Sequence, residues 1–169
     1  VVDGDMTIED VKIDVDDYAD EYMDAIVANK GSNVTINSGH FNGGTTELGG
    51  AGNTAVFANG GNVTINGGYF TVNGLAEGDT GHIDLIYAKD NARVHIYGGT
   101  FVGADDTVWL LNAKDNSGAR IYVHGGTFIN WNPSNEVAPD GTTEITVYGK
   151  PTIEEKDNGD VWYVYTYQP

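Results

Sequence analysis

A chain of 169 residues with 25 acids against 8 basic residues carries a formal charge of −17, which repels phosphate backbones and anionic membranes. It has no cysteine, so neither a disulfide framework nor a cysteine-ligated metal holds it together. Its 24 glycines, in a sequence that is 40% apolar, point to many tight turns around a continuous core rather than to disorder.

One short phrase recurs along the chain. It runs Val34-Thr35-Ile36-Asn37-Ser38-Gly39-His40-Phe41, then Val63 to Phe70, Val94 to Phe101 and Ile121 to Phe128, with a degraded copy from Ile145 to Thr152. Met6 to Ile13 fits the same frame as an atypical first copy. Starts lie 24 to 31 residues apart, the spacing of a solenoid. Val1 opens the chain without a charged-then-apolar leader, which reads as a processed or excerpted fragment.

Within each phrase apolar and polar residues alternate with period two, the mark of a half-buried strand. Val34, Val63, Val94, Ile121 and Ile145 form one inward column, and Ile36, Ile65, Ile96, Val123 and Val147 the next. Gly39, Gly68, Gly99 and Gly126 occupy one frame position, where the chain must bend. Phe41, Phe70, Phe101 and Phe128 follow two residues later and predict an inward aromatic stack.

A second strand precedes each phrase, at Ala25–Ala28, Ala55–Ala58, Leu85–Ala88 and Leu110–Ala113. Ile26, Val56, Ile86 and Leu111 form its inward column, followed by Ala28, Ala58, Ala88 and Ala113. Val27, Phe57, Leu85, Tyr87 and Leu110 are then expected to face outward, together with Ala25 and Ala55. A strand apolar on both sides is usually buried on both. Either a loop of the same chain or another subunit should cover this face, and the subunit reading makes those five residues an oligomer interface. Beyond the last phrase, Ile153–Lys156 and Val161–Tyr167 flank Asp157-Asn158-Gly159, a strong hairpin signal. The expected division is a solenoid over 1–153 and a hairpin cap over 154–169.

These residues, above all Asn62 to Phe70, resemble the pectin-lyase-like superfamily of single-stranded right-handed β-helices. They are similar to repeats in bacterial surface proteins and in structural proteins of gut bacteriophages. The resemblance implies an all-β, right-handed parallel β-helix of about six coils with a C-terminal antiparallel hairpin. It also implies a homotrimer of side-by-side helices, on a virion or outside a cell. The motifs of its enzymes, the calcium-binding aspartates with arginine of pectate lyases and the aspartates of polygalacturonases, find no match.

Candidate chemistry is sparse. The run Asp14, Asp16, Asp17, Asp20, Glu21 and Asp24 offers oxygens for calcium but lacks the spacing and glycine of an EF-hand loop, and reads more simply as a solvated loop. Glycoside hydrolysis needs two acids across a groove. Asp105 and Asp106 are the nominees, with Asp79 and Asp84 on the neighbouring coil, although adjacent acids on a turn are commonly plain turn chemistry. More informative are the outward positions of the repeated phrase. Thr35, Asn37, Thr64 and Asn66 give way to His95, Tyr97, Tyr122 and His124, and stacking sets His95 beside Tyr122 and Tyr97 beside His124, with Tyr148 above. Such a patch either contacts a sugar or a subunit, or is a cross-coil ladder that steadies the sheet. Two histidines without a third ligand are too few for zinc, and no cofactor is expected. Asn33-Val34-Thr35 and Asn62-Val63-Thr64 match glycosylation sequons, but turn positions explain the asparagines as well.

The reading that follows is a non-enzymatic structural or adhesive module with cell-surface glycans as expected contacts, and with a polysaccharide-degrading enzyme and a monomeric surface adhesin as alternatives.

Overall fold

The computed structural model describes residues 1–15, 24–46, 53–75, 83–103, 108–136 and 144–169, and the chain winds through them as a parallel β-solenoid. Three stacked sheets form its faces. The first holds Asp5–Ile8, Asn33–Ile36, Asn62–Ile65, Arg93–Ile96, Arg120–Val123 and Ile145–Val147, every neighbouring pair parallel. The second stacks Val11–Asp14, Gly39–Asn42, Tyr69–Val72, Thr100–Gly103 and Gly126–Ile129. The third stacks Ile26–Asn29, Val56–Asn59, Ile83–Lys89 and Val108–Ala113, with Val2 bridged to Ala28 beneath it. Four coils thus carry a strand on all three faces, with partial coils at either end, slightly fewer than the expected count of about six.

The core is made of the repeated columns. Val34 pairs in register with Val63, Val63 with Val94, Val94 with Ile121 and Ile121 with Ile145, and all five are buried. Phe41, Phe70, Phe101 and Phe128 form one continuous stack, with ring centroids 5.1, 5.0 and 4.8 Å apart and no exposure. The bend ahead of this stack explains its glycines. At Gly68 φ is +111°, and an added Cβ would lie 3.2 Å from the Phe70 ring. At Gly39, with φ +131°, an added Cβ would lie 2.8 Å from the Phe41 ring.

Polar ladders bind the early coils from outside. Asn62 donates its amide to Asn33 (3.0 Å), and Asn33 donates to Asp5 (2.8 Å). Asn66 donates to Asn37 (2.9 Å), and Asn37 to Glu9 (2.7 Å). Asn59 donates to Asn29 (3.2 Å), and Asn29 to Asp3 (2.7 Å). Every donor in these three ladders points toward the lower-numbered coil, and each ladder ends on a carboxylate. The asparagines of both sequons are members of them.

The third face departs from the expected alternation. In Ile83–Lys89 the core holds Ile83 and Leu85, then Ile86 and Ala88; in the next strand it holds Val108 and Leu110, then Leu111 and Ala113. Two neighbours in a row point inward, so each strand turns a corner at that step. The leading half packs toward the second face, where a Cβ on Gly103 would meet Val108 and Leu110. Leu85 (0% exposed) and Leu110 (1%) are core residues, not outward ones. Their place in the expected oligomer interface is withdrawn, because a bent strand buries both its sides within one chain. Tyr87 is withdrawn as well, since it is only 9% exposed with its ring stacked on Phe57 at 5.4 Å; what remains outward is Val27 and Phe57, half-buried and in register with each other.

After Ile145–Val147 the chain leaves the solenoid path. Thr152–Glu155 and Val161–Tyr165 pair antiparallel, and the second of these pairs antiparallel with Gly126–Ile129 at the end of the second face. The turn between them closes through Lys156 N to Asp160 O (2.8 Å) and Gly159 N to Lys156 O (2.9 Å). Tyr165 anchors the returning strand, its hydroxyl lying 2.7 Å from Asn132 Oδ1 and 2.6 Å from Ser134 Oγ.

Candidate functional site: an aromatic strip and the groove at its end

The first face carries one set of outward side chains in its early coils and another in its late ones. Because strands in this face are in register, identical outward frame positions lie one rung apart. His95 registers with Tyr122, and their rings stack at 4.6 Å. Tyr97 stacks on His124 at 4.5 Å, and His124 on Tyr148 at 4.6 Å, each pair within 10° of parallel. All four residues nominated from sequence, His95, Tyr97, Tyr122 and His124, are thus brought into one strip, and Tyr148 extends it.

The two columns are joined by a contact that period-two reasoning does not provide. His95 Nδ1 and His124 Nε2 are 3.1 Å apart, so one imidazole donates to the other. Burial holds both rings below the ordinary histidine range, helped at His95 by the Arg93 charge and at His124 by His95 itself. The contact sets one N–H between the two facing nitrogens, and burial favours the uncharged form of both rings.

Tyr167, from the C-terminal segment, was not foreseen. It stands edge-on to Tyr97 (4.9 Å, 77°) and to His124 (6.2 Å, 84°), making a right-angled aromatic corner. Beside this corner lies a cavity of about 490 Å³, lined by His124 and Tyr148 and by Val164, Thr166, Tyr167 and Gln168. The only sequence signal for it was the aromatic run Trp162, Tyr163, Tyr165, Tyr167, which reads equally well as a cap strand.

The acidic nominees fare differently. Asp105, Asp106 and Asp79 lie outside the described residues, as do Asp16, Asp17, Asp20 and Glu21. Asp14 accepts from Asn42 (2.8 Å) and pairs with Lys12 (3.3 Å), which holds its carboxyl below the usual range. Asp24 accepts from both the amide and the hydroxyl of Thr54, at 2.9 and 2.7 Å, although burial still pushes it up. Asp84 is 1% exposed. Burial pushes its carboxyl up to about 7 despite the Asn112 amide, which lies 3.1 Å from both oxygens. Among the described residues no cluster of three or more potential ligands is arranged to hold a metal ion.

No protein-family model matches the chain, and no curated protein or solved structure matches it either.

Proposed function

We propose that this chain is a non-enzymatic structural and adhesive module: a β-helical rod of a virion or cell-surface assembly that presents a contact surface on its late coils. The observation that carries this reading is the change of exterior over a constant interior. The buried columns repeat from coil to coil, whereas the outward positions pass from asparagine and threonine to stacked histidine and tyrosine. The early asparagines are occupied in ladders with one another and with carboxylates. The late ones form an aromatic surface ending in Tyr148 (49% exposed) and Tyr167 (45% exposed). Flat, partly exposed rings with polar rims suit sugars and protein partners alike. In this reading copies associate as a trimer through the third face, where Val27 and Phe57 supply the outward apolar pair.

Light scattering over a dilution series, with retention on a panel of immobilised polysaccharides, tests both halves. A species near three times 18.0 kDa supports the assembly. Retention that is lost on His95→Ala/Tyr122→Ala supports adhesion. A monomer that no polysaccharide retains refutes the proposal.

A second reading, a polysaccharide-degrading enzyme, draws on Asp84, since a carboxylic acid titrating near neutrality is what general acid catalysis needs. Against it stands the near-complete burial of that group, which closes it to a polymer. Polysaccharide cleavage that disappears in Asp84→Asn, with the fold intact, is the result this reading requires.

A further inference from the structure

The groove at the end of the aromatic strip combines an exposed aromatic wall with several polar side chains. One wall is the Tyr148 ring, stacked on His124 and half exposed; Tyr167 meets that column at a right angle. Gly149 and Val164 also line it, and Lys150, Thr152, Thr166 and Gln168 supply its polar side chains. The asparagines of the early coils are hydrogen-bonded to one another, but among the described residues the side chains of these four have no hydrogen-bond partner, nor do the hydroxyls of Tyr148 and Tyr167. No carboxylate lines the groove among the described residues, in a chain with 25 acids. Its volume of about 490 Å³ falls in the range of small-molecule sites, roughly 300–1,000 Å³.

We infer that this groove is a saccharide subsite, and that its occupant is a neutral hexopyranose residue. The inference rests on the adhesive reading above and gives it a location and a ligand class. A pyranose ring has a weakly polar C–H face and a periphery of hydroxyls. The face suits Tyr148, whose ring is held rigid by its stack on His124, so little conformational freedom is lost on binding. The hydroxyls suit an uncommitted set of one ammonium, two Thr hydroxyls and one carboxamide, each with free hydrogen-bonding capacity. A purely apolar ligand would leave these groups without partners in a contact that excludes water, which is costly. A cationic ligand would meet Lys150. An anionic one would gain from Lys150 locally, but has to approach a chain of net charge −17. A neutral sugar meets neither obstacle.

The experiment is a titration of the intact chain with the methyl glycosides of glucose, galactose and mannose, with glucuronate as the anionic comparison, followed by saturation-transfer NMR and the tyrosine ring resonances. At least one neutral glycoside is expected to bind and to shift the Tyr148 and Tyr167 ring signals. Tyr148→Ala and Tyr167→Ala are each expected to weaken it about tenfold, and Tyr148→Phe to retain it, because the ring supplies the stack. Thr64→Ala, on an early coil, leaves binding unchanged. Because Tyr148 and Tyr167 are exposed, loss of the ring leaves the core intact, and Tyr148→Phe controls for folding. Binding of no neutral glycoside overturns the inference, as does tighter binding of glucuronate or binding that survives both alanine variants. Polysaccharide retention that depends on His95 and Tyr122 while the groove variants behave as wild type overturns the groove alone. Loss of retention in every protein, wild type included, overturns the adhesive reading beneath it.

Discussion

Asp84 offers the sharpest test of the packing on the third face. Its carboxyl is 1% exposed and titrates near 7, against 3.8 for an unburied aspartate. Between those two pH values the folded chain keeps a proton that the unfolded chain has lost, so the native state binds more protons and stability must fall as pH rises. The whole effect is about 4 kcal/mol, at ~1.36 kcal/mol for each tenfold change in the protonation equilibrium. It is absent below pH 3.8 and complete above 7. Asp84→Asn keeps an oxygen to accept from Asn112 and removes the titration. The assay is urea unfolding of both proteins at several pH values from about 4 to 8, read by tyrosine and tryptophan fluorescence. Asp24, raised in the same direction, and Asp14 and Asp160, lowered in the opposite one, are common to both proteins and cancel in the difference. The wild type is expected to lose stability relative to the variant as pH rises toward 7. Parallel curves, or a difference of opposite sign, would refute the buried placement of this carboxyl.

Further outcomes follow from the core, the bend, the ladders and the histidine pair. Phe101→Ala, in the interior of the four-ring stack, should cost about 3–5 kcal/mol in chemical unfolding. Gly68→Ala should cost about 1–3 kcal/mol, because the left-handed backbone and the Phe70 ring both oppose a Cβ, whereas Gly4→Ala, with nothing within 4 Å, should cost far less. Asn37→Ala interrupts a ladder in the middle, leaving Asn66 without its acceptor and Glu9 without its donor; a loss of about 1 kcal/mol by thermal or urea unfolding is expected. His95 and His124 should both titrate below the ordinary histidine range by NMR. Their lowered values mean that stability present at neutral pH is lost as pH falls through them, and His124→Gln should remove part of that loss. Histidines that titrate at or above the ordinary value would contradict the buried pair.

The repeated columns were legible because the environment at each frame position is the same in every coil. Val34, Val63, Val94 and Ile121 each solve one local problem four times, and the phenylalanine stack was readable for the same reason. The third face misled because alternation was projected through a strand that turns. In Leu85–Ile86 and Leu110–Leu111 two neighbours point inward, and a period-two reading necessarily sends one of each outside. The aromatic strip was legible rung by rung, as His95 on Tyr122 and Tyr97 on His124, but its diagonal imidazole contact depends on rotamers, which spacing does not carry. Tyr167 was out of reach for another reason. It belongs to no repeat, and its position against Tyr97 follows from how the antiparallel pair at the end of the second face returns the chain.

The direction of the asparagine ladders makes the coils unequal. An asparagine passes one hydrogen bond down and receives one from above, so a column of them reads the same at every level and tolerates the insertion of another identical level. A carboxylate receives without passing on, and so serves only as a foot. Asp3, Asp5 and Glu9 are the feet of three such columns. Duplicating the coil that holds Asn33 and Asn37 would lengthen the rod with every amide still partnered. Duplicating the coil that holds Asp5 and Glu9 would set carboxylates against carboxylates. The rod can therefore grow from its middle, by a rule written in which side chains both donate and accept a hydrogen bond and which only accept one.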